Sequence, residues 1–260
     1  MSRGSQPRRD GAPGYDAGVT PERRPRCLVT GAASGIGQAV ASALLEAGWD
    51  VTVLVRKPGA PDRAMVVEGD AADPADLGRA IAQAAPDGWL DGLVCAAGVP
   101  PSGPWDDPGH WAETIRVDLT GPYEVVRLAW DALKAAGGSV VLVGSIVGAR
   151  EGSSRSPAYA AAKAGLEGLA RSLAVIGGPV GIRVNVVAPG AIDTGFDPPA
   201  FSPDARPDVP LGRMGLAEEI ASIVRFLLSS DAAYVTGAVW TADGGRSALS
   251  PAAAVHRART

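Results

Sequence analysis

Cysteine and histidine are scarce in this sequence, and their scarcity limits the kinds of site that it can form. The 260 residues include only two cysteines, Cys27 and Cys95, and only two histidines, His110 and His256. The histidines lie far apart and have no cysteine at ligand spacing, so we predict no metal site. Both cysteines fall in apolar runs typical of buried strands, which favours free thiols in a reducing compartment and therefore a cytoplasmic protein.

Long apolar runs and a strong charge of either sign are also missing. No stretch of about 18 uninterrupted apolar residues occurs, and the first 25 residues lack the apolar core of a signal peptide. We therefore expect neither a membrane span nor export. The formal net charge of -4 and the pI of about 5.3 give no reason to expect a nucleic-acid partner. We interpret the arginines near the start as part of a solvated tail: Arg3, Arg8, Arg9, Arg23, Arg24 and Arg26.

What the sequence does contain is a repeated pattern of a short β-branched run, a turn and a stretch of helical periodicity. Because strands that are apolar on both faces alternate with helices, we predict an α/β fold with a doubly wound, seven-stranded parallel sheet and helices on both sides. Residues 25–246 form this single domain in the prediction. Residues 1–24 and 247–260 form a disordered N-terminal tail and a flexible C-terminal tail.

Seven segments are predicted as strands and five as helices. The strand segments are CLVTG, DVTVLVR, AMVVEGD, LDGLVCAAG, SVVLVGS, IRVNVVAPG and AVWTADGG. The helices are expected at residues 36–47, 74–85, 108–136, 157–176 and 217–229. Asp73 and Ser156 each precede a proline and are expected to cap the helices that follow.

A glycine-rich turn joins the first predicted strand to the first helix. Gly31, Gly35 and Gly37 stand in the run TGAASGIG. Glycines at this point permit a tight turn and let backbone N–H groups approach a pyrophosphate at the positive end of a helix. Ligands of doubly wound sheets bind at the carboxyl ends of the strands, which is where this turn lies. A glycine turn without a ligand is the alternative.

The end of the second predicted strand bears on the choice of nucleotide. A carboxylate there suits ribose hydroxyls, whereas a cation suits a 2'-phosphate. This strand is followed by Arg56 and Lys57, which favours NADP(H) over NAD(H) unless both are ordinary surface cations. Asp70, after the third strand, is a candidate acceptor for the adenine amino group, and a plain turn aspartate is the alternative.

Tyr159 and Lys163 lie one helical turn apart, so their side chains share one face of the predicted helix. A free tyrosine has a pKa of about 10. A cation about 4 Å away at an effective dielectric constant of about 20 contributes about 4 kcal/mol, or roughly three pKa units. We therefore expect this pair to exchange a proton near neutral pH. In the alternative, the tyrosine packs and the lysine extends to solvent.

Ser145 follows the fifth predicted strand and stands fourteen residues before Tyr159. A hydroxyl at the end of that strand faces the same edge of the sheet as the start of the next helix. It is therefore a candidate donor to a substrate carbonyl or alkoxide. A loop serine without a partner is the alternative.

These motifs together resemble the short-chain dehydrogenase/reductase family over residues 26–245. The TGxxxGIG turn begins at Thr30, the YxxxK pair is Tyr159 and Lys163, and the family serine is Ser145. The family's NNAG run appears as CAAG at residues 95–98, so its glycine is kept and both asparagines are absent. The family's PG turn and closing strand resemble residues 189–190 and 234–245.

The resemblance implies a Rossmann-like fold, a nicotinamide cofactor and a homotetramer, with a homodimer as the alternative. It also implies that Thr194 binds the nicotinamide carboxamide. The positions expected to contact the cofactor are Gly31, Ser34, Gly35, Ile36, Gly37, Arg56, Asp70, Ala97, Gly98, Tyr159, Lys163, Pro189, Gly190, Ile192 and Thr194.

One departure from the family pattern concerns the mechanism. The family has an asparagine in a run like VNLTG, and this chain has VDLTG with Asp118. In similar proteins that asparagine helps to hold a water that links the lysine to solvent, but an ionised aspartate cannot donate a hydrogen bond. Two outcomes are open if Asp118 belongs to the catalytic group: a modified proton relay, or a second counter-ion for Lys163. A carboxylate on the helix surface is the alternative.

The expected function is the NADP(H)-dependent reduction of a ketone or 3-oxoacyl-type carbonyl to a secondary alcohol, with Ser145, Tyr159, Lys163 and Asp118 as the catalytic group. Two alternatives remain: an NAD(H)-dependent alcohol or sugar dehydrogenase, and a catalytically impaired nucleotide-sensing or interaction protein. Five prolines after the PG turn predict an irregular flap, and no fixed charge stands out for an anionic substrate. Candidate apolar pocket residues are Trp105, Phe196, Phe201 and Leu211.

Overall fold

The computed structural model describes residues 23–249, except residues 102, 155 and 197–208. Most of the two predicted tails, and Phe201 of the predicted pocket, lie outside these residues. Arg23, Arg24 and residues 247–249, which the predicted boundaries assign to the tails, are described. Among the described residues, no helix has the length and apolarity that crossing a bilayer requires.

Seven parallel strands form one sheet with the order β3-β2-β1-β4-β5-β6-β9. The sheet is doubly wound, since the chain runs from β1 outwards to β3 and then returns to build the other half from β4. The predicted fold class is confirmed. The strands of this sheet are β1 Arg26–Thr30, β2 Asp50–Val55, β3 Met65–Glu68, β4 Gly92–Cys95, β5 Ser139–Val143, β6 Arg183–Pro189 and β9 Val239–Ala242.

Helices cover both faces of the sheet. Each strand sends alternate side chains to opposite faces, so that Leu28 packs in one core cluster while Cys27 and Val29 pack in the other. Leu28 and Val29 are completely buried. The α-helices are α1 Gly35–Glu46, α2 Pro74–Ala84, α3 Pro108–Ile115, α4 Gly121–Leu128, α5 Trp130–Ala136, α6 Pro157–Gly177 and α7 Ala217–Leu228.

The two predicted caps are present. The Asp73 side chain accepts from the N–H groups of Ala75 and Asp76, and Ser156 Oγ accepts from Tyr159 N. In both helices the proline that follows the cap lies in the first turn, where a missing N–H leaves no hydrogen bond unmade. These caps fix where α2 and α6 begin.

The helix predicted at 108–136 is interrupted. A π-helical turn, Arg116–Thr120, separates α3 from α4, and Ala129 separates α4 from α5. A π-turn inserts an extra residue into the helical ladder, which rotates the side chains that follow relative to those that precede it. The apolar periodicity of the segment does not reveal this rotation. Asp118 lies within the π-turn.

A second, small sheet lies beside the carboxyl end of β6. Its strands are β7 Ile192–Asp193 and β8 Gly215–Leu216, which pair in parallel. Gly215 N also donates to Ala191 O. This sheet joins the two ends of the segment that was predicted to form a flap.

Candidate active site

A cleft of about 680 Å³ opens along the carboxyl ends of the strands. Loops that follow β1, β2, β3, β4, β5 and β6 line it. Every residue predicted to contact a cofactor lines this cleft, and so does Ser145. The topology therefore brings together residues that are up to 163 positions apart in the chain, from Gly31 to Thr194.

The glycine turn is packed too closely for larger residues. Gly31 has φ +78°, and a Cβ there would lie 2.5 Å from Ala97 N. A Cβ on Gly37 would collide with the carbonyl oxygen of Gly31. Helix α1 consequently starts directly against the turn, and the backbone of this turn is accessible to a ligand from the cleft.

The first turn of α1 leaves N–H groups available. Ser34 is the N-cap residue in an extended conformation, and its side chain makes no capping hydrogen bond. Ser34, Gly35 and Ile36 all line the cleft. An uncapped helix N-terminus carries partial positive charge and free donors, so this end of α1 fits a phosphate group.

Two cations stand where β2 ends. Arg56 and Lys57 are exposed and line the cleft. Across residues 23–249, apart from the gaps, no carboxylate lies within salt-bridge distance of either. Their charges are therefore available to an anionic ligand.

Asp70 is held by an arginine that the sequence did not single out. Its Oδ2 accepts from Arg116 Nη2 at 2.8 Å, and its Oδ1 accepts from Ala72 N at 2.9 Å. Burial works to raise the pKa of Asp70, but these hydrogen bonds and the charge of Arg116 outweigh it and lower that pKa. Asp70 is thus a fixed carboxylate in the wall of the cleft. Its contact with adenine stays a prediction.

Tyr159 and Lys163 project from α6 into the cleft, as their spacing predicts. Tyr159 is 9% exposed and Lys163 is 6% exposed. The Lys163 Nζ lies 5.4 Å from the centroid of the Tyr159 ring and donates to Val143 O at 3.1 Å. The interpretation in which the lysine extends to solvent is therefore wrong, since its ammonium is buried beside the phenol.

Ser145 lies two residues beyond the end of β5 and faces the same cleft. Its Oγ accepts a hydrogen bond from Val147 N at 3.1 Å. The backbone thus orients the oxygen and leaves the hydroxyl proton free to be donated.

Asp118 does not line the cleft but lies behind Lys163. The residue is completely buried, so the alternative interpretation, a surface carboxylate, is wrong. Its Oδ1 accepts from Val99 N at 2.7 Å, and its Oδ2 lies 3.4 Å from Lys163 Nζ. A Cβ on Gly98 would stand 3.4 Å from the same Oδ2, so the loop after β4 packs directly over this carboxylate.

Burial and charge act in opposite directions on this pair. Burial raises the pKa of Asp118 by more than the Lys163 charge lowers it. For Lys163, burial acts to lower the pKa, but the charge of Asp118, with a smaller effect of Tyr159, raises it overall. Burial raises the pKa of Cys95, a further neighbour of Lys163, to about 12, so this thiol is uncharged at neutral pH. Lys163 therefore carries a proton, and Asp118 Oδ2 lies within salt-bridge distance of its ammonium.

The segment after β6 crosses to the first helix. Pro189, Gly190, Ile192 and Thr194 line the cleft. A Cβ on Gly35 would lie 3.1 Å from Thr194 Cβ, so the threonine side chain packs against the N-terminus of α1. A nucleotide at α1 would therefore be bordered by this segment.

The substrate end of the cleft differs from the prediction. Phe196 lines it, whereas Trp105 and Leu211 lie outside it and are 70% and 68% exposed. Two charged residues that the sequence did not indicate, Glu151 and Arg246, line this part of the cleft. They are 95 residues apart, and no local motif joins them.

Comparison with known proteins identifies the architecture. The family model described as Enoyl-(Acyl carrier protein) reductase matches residues 31–247. A short-chain type dehydrogenase/reductase from Mycobacterium marinum has a similar crystal structure, with a TM-score of 0.78 and 30% identity over 85% of this chain and 95% of that one.

The chain belongs to the short-chain dehydrogenase/reductase family. The cis-4-hydroxycyclohexanecarboxylate dehydrogenase of Sinomonas cyclohexanicum is 39% identical over 85% of this chain and 96% of its own length. The 3-oxoacyl-(acyl-carrier-protein) reductase MabA of Mycobacterium avium is 37% identical over 84% of this chain and 88% of its own length. This short-chain dehydrogenase/reductase is accordingly an oxidoreductase of CH–OH and C=O groups with a nicotinamide cofactor.

The residues of the cleft fit a nicotinamide dinucleotide. The closely packed glycine turn and the uncapped start of α1 suit a pyrophosphate, and the Lys163 ammonium suits ribose hydroxyls. A metal is a different matter: within the described ranges, no group of three or more histidine, cysteine, aspartate or glutamate side chains is arranged to bind one.

Proposed function

We propose that this enzyme reduces a ketone or 3-oxoacyl-type carbonyl to a secondary alcohol with NADP(H). The observation that carries the proposal is the buried Lys163 ammonium beside the Tyr159 ring, with Ser145 in the same cleft. A nucleotide-sensing protein needs the glycine turn but has no use for these three groups. Their joint presence argues against the alternative of a catalytically impaired sensor.

Each of the three side chains has a defined task in the proposed reaction. When bound, the reduced nicotinamide supplies the hydride for the carbonyl carbon. Tyr159 donates its phenolic proton to the carbonyl oxygen, which becomes the alcohol oxygen. Ser145 donates a hydrogen bond to that oxygen and stabilises the charge that develops there. Lys163 stabilises the phenolate that remains and binds ribose hydroxyls.

The preference for NADP(H) rests on Arg56 and Lys57. A 2'-phosphate carries up to two negative charges, and the exposed Arg56 guanidinium is suited to bidentate contact with it. An NAD(H)-linked enzyme usually has a carboxylate after β2, and this chain has none there. The alternative is an NAD(H)-dependent dehydrogenase working oxidatively; the name of the Sinomonas relative, a dehydrogenase, favours the oxidative direction but names no cofactor.

We propose that Asp118 is the counter-ion that sets how strongly the Lys163 ammonium acts on the Tyr159 phenol. An ammonium next to the phenol favours the phenolate, and a carboxylate behind that ammonium offsets part of its field. The charge of Asp118 also raises the pKa of Lys163, so the ammonium beside the Tyr159 ring keeps its proton to higher pH.

We also propose a cytoplasmic location, which agrees with two buried free cysteines among the described residues. A fractionation of cells that produce the protein would test this. Nucleic-acid binding is not part of the proposal, given the net charge of -4.

Replacement of Tyr159 by phenylalanine should remove the proton donor and leave the ring in place. We expect kcat for NADPH-dependent ketone reduction to fall by at least about 100-fold, with the dissociation constant of NADPH within about twofold of the original. Steady-state kinetics and fluorescence titration measure the two quantities. Tyr123→Phe, on a 44% exposed side chain of α4, is the matched control. Unchanged turnover in Tyr159→Phe would reject the assignment.

Replacement of Arg56 by alanine should weaken NADPH binding without affecting NADH binding. Loss of charge-assisted hydrogen bonds to the 2'-phosphate should raise the NADPH dissociation constant by about 10- to 100-fold. Titrations with both cofactors measure the change, and Arg225→Ala, at an exposed position of α7, is the control. An equal loss for both cofactors would show that Arg56 does not select NADP(H).

Replacement of Asp118 by asparagine should shift the pH profile. The amide keeps an acceptor for Val99 N but removes the negative charge that raises the pKa of Lys163, so that pKa should fall. Because the mechanism needs the Lys163 ammonium, we expect the upper pH limit of ketone reduction to move down by about one unit. Asp131→Asn, at an exposed position of α5, is the control. An upward shift or none would contradict the proposed role.

A homotetramer is proposed, with a homodimer as the alternative. Apolar side chains on the outer helices are exposed: Trp111, Tyr123, Val175 and Ile176. Faces of this kind pair across twofold axes. Light scattering should give a mass four times the 26.3 kDa of the chain. A monomer in dilute solution would contradict both forms.

A further inference from the structure

An ion pair borders the cleft on the side away from the proposed nucleotide site. Arg246 Nε donates to Glu151 Oε1 at 2.8 Å. Their side chains are 30% and 24% exposed, so both are half-buried in the wall rather than free at the surface. Neither takes part in the chemistry described above.

The sheet order places this pair relative to the other charges. Arg56 and Asp70 follow β2 and β3, at one edge of the sheet, whereas Arg246 follows β9, at the opposite edge. Ser145 follows β5, between the two edges. A dinucleotide that reaches Arg56 therefore leaves Arg246 beyond Ser145 in the strand order, and that side of the cleft is open to the rest of a substrate.

Both partners are held by their backbones. Arg246 begins a 3-10 turn whose start is fixed by Asp243, which accepts from Gly245 N and Ser247 N. On the other side, Glu151 N donates to Ile146 O, and Gly148 N donates to Glu151 O. The guanidinium is therefore positioned before any ligand arrives, which lowers the entropy cost of binding one.

Glu151 accepts a single hydrogen bond from the Arg246 guanidinium. It goes through Nε, and neither Nη1 nor Nη2 has an acceptor among the residues that the structure describes. A guanidinium has five donors in a planar fork and binds a carboxylate through two parallel hydrogen bonds. Arg246 thus has donors left for a second carboxylate.

We propose that Arg246 binds a carboxylate of the substrate and that the enzyme consequently prefers oxo-carboxylic acids to neutral ketones. This inference rests on the proposed function, because it assigns the far end of a substrate whose carbonyl is at Tyr159. Glu151 orients the guanidinium through Nε and, as an anion, also limits how tightly the substrate carboxylate is bound.

The test compares two ketones of similar shape. 4-Oxocyclohexanecarboxylate carries a carboxylate opposite its carbonyl, and 4-methylcyclohexanone carries a methyl group there. With the full-length enzyme and NADPH, we expect kcat/KM to be at least about 10-fold higher for the oxo acid. In Arg246→Ala, KM for the oxo acid should rise by about 10- to 100-fold, while KM for 4-methylcyclohexanone should stay within about twofold. Arg246→Lys should recover part of the loss, since it restores the charge without the fork.

The Glu151→Gln variant distinguishes substrate binding by Arg246 from a purely structural role of the ion pair in the wall of the cleft. The amide oxygen still accepts from Arg246 Nε, but the negative charge is gone, so KM for the oxo acid should fall by several-fold. The two substitutions should therefore have opposite effects on the oxo acid. If the ion pair only holds the wall together, both should raise KM for both ketones, and that result would overturn the proposal.

Failure of this inference is distinguishable from failure of the proposed function. Reduction of 4-methylcyclohexanone with no preference for the oxo acid would reject the role of Arg246 and leave the reductase assignment intact. No turnover of any ketone, with NADPH still bound, would reject the proposed function and the inference together.

Discussion

The site depends on the burial of one ammonium group, that of Lys163, at the carboxyl ends of the parallel strands. Lys163 is almost fully buried, and an uncompensated charge there would cost several kcal/mol. The structure compensates it with the carbonyl of Val143 and the carboxylate of Asp118. The π-turn brings Asp118 to this position, and the loop after β4 covers it through Val99 N. Strand β5, the π-turn, the loop after β4 and helix α6 thus all contribute to the burial of this one charge.

Features that rest on local spacing were predictable from the sequence. The seven apolar runs became the seven strands because each is short, β-branched and bounded by turn residues. The four-residue spacing of Tyr159 and Lys163 placed both in the cleft because a helix repeats every 3.6 residues. Because the seven strands are parallel, their carboxyl ends lie on the same side of the sheet, which brings Ser145 into the cleft with Tyr159 and Lys163.

Features that depend on distant partners were not predictable. Asp118 had three interpretations in the sequence: a member of a modified proton relay, a second counter-ion for Lys163, and a surface carboxylate. The packing of the loop over it excludes the third. Arg116 and Asp70 are 46 residues apart, and Arg246 and Glu151 are 95 apart. No periodicity links such pairs. The π-turn was missed for a related reason, since one extra residue changes the phase of a helix without changing its composition.

The two-residue strands β7 and β8 have a consequence for how such an enzyme changes over evolutionary time. They pair Ile192 with Gly215, so the segment between these two residues begins and ends at nearly the same point. Closing a longer loop costs little extra entropy, because the cost grows only with the logarithm of its length. A change in chain length between Phe196 and Gly215 would therefore leave both strands and Thr194 in place. The number of residues in this segment can thus vary without a change in Tyr159, Lys163 or the glycine turn, which belong to other elements of the chain.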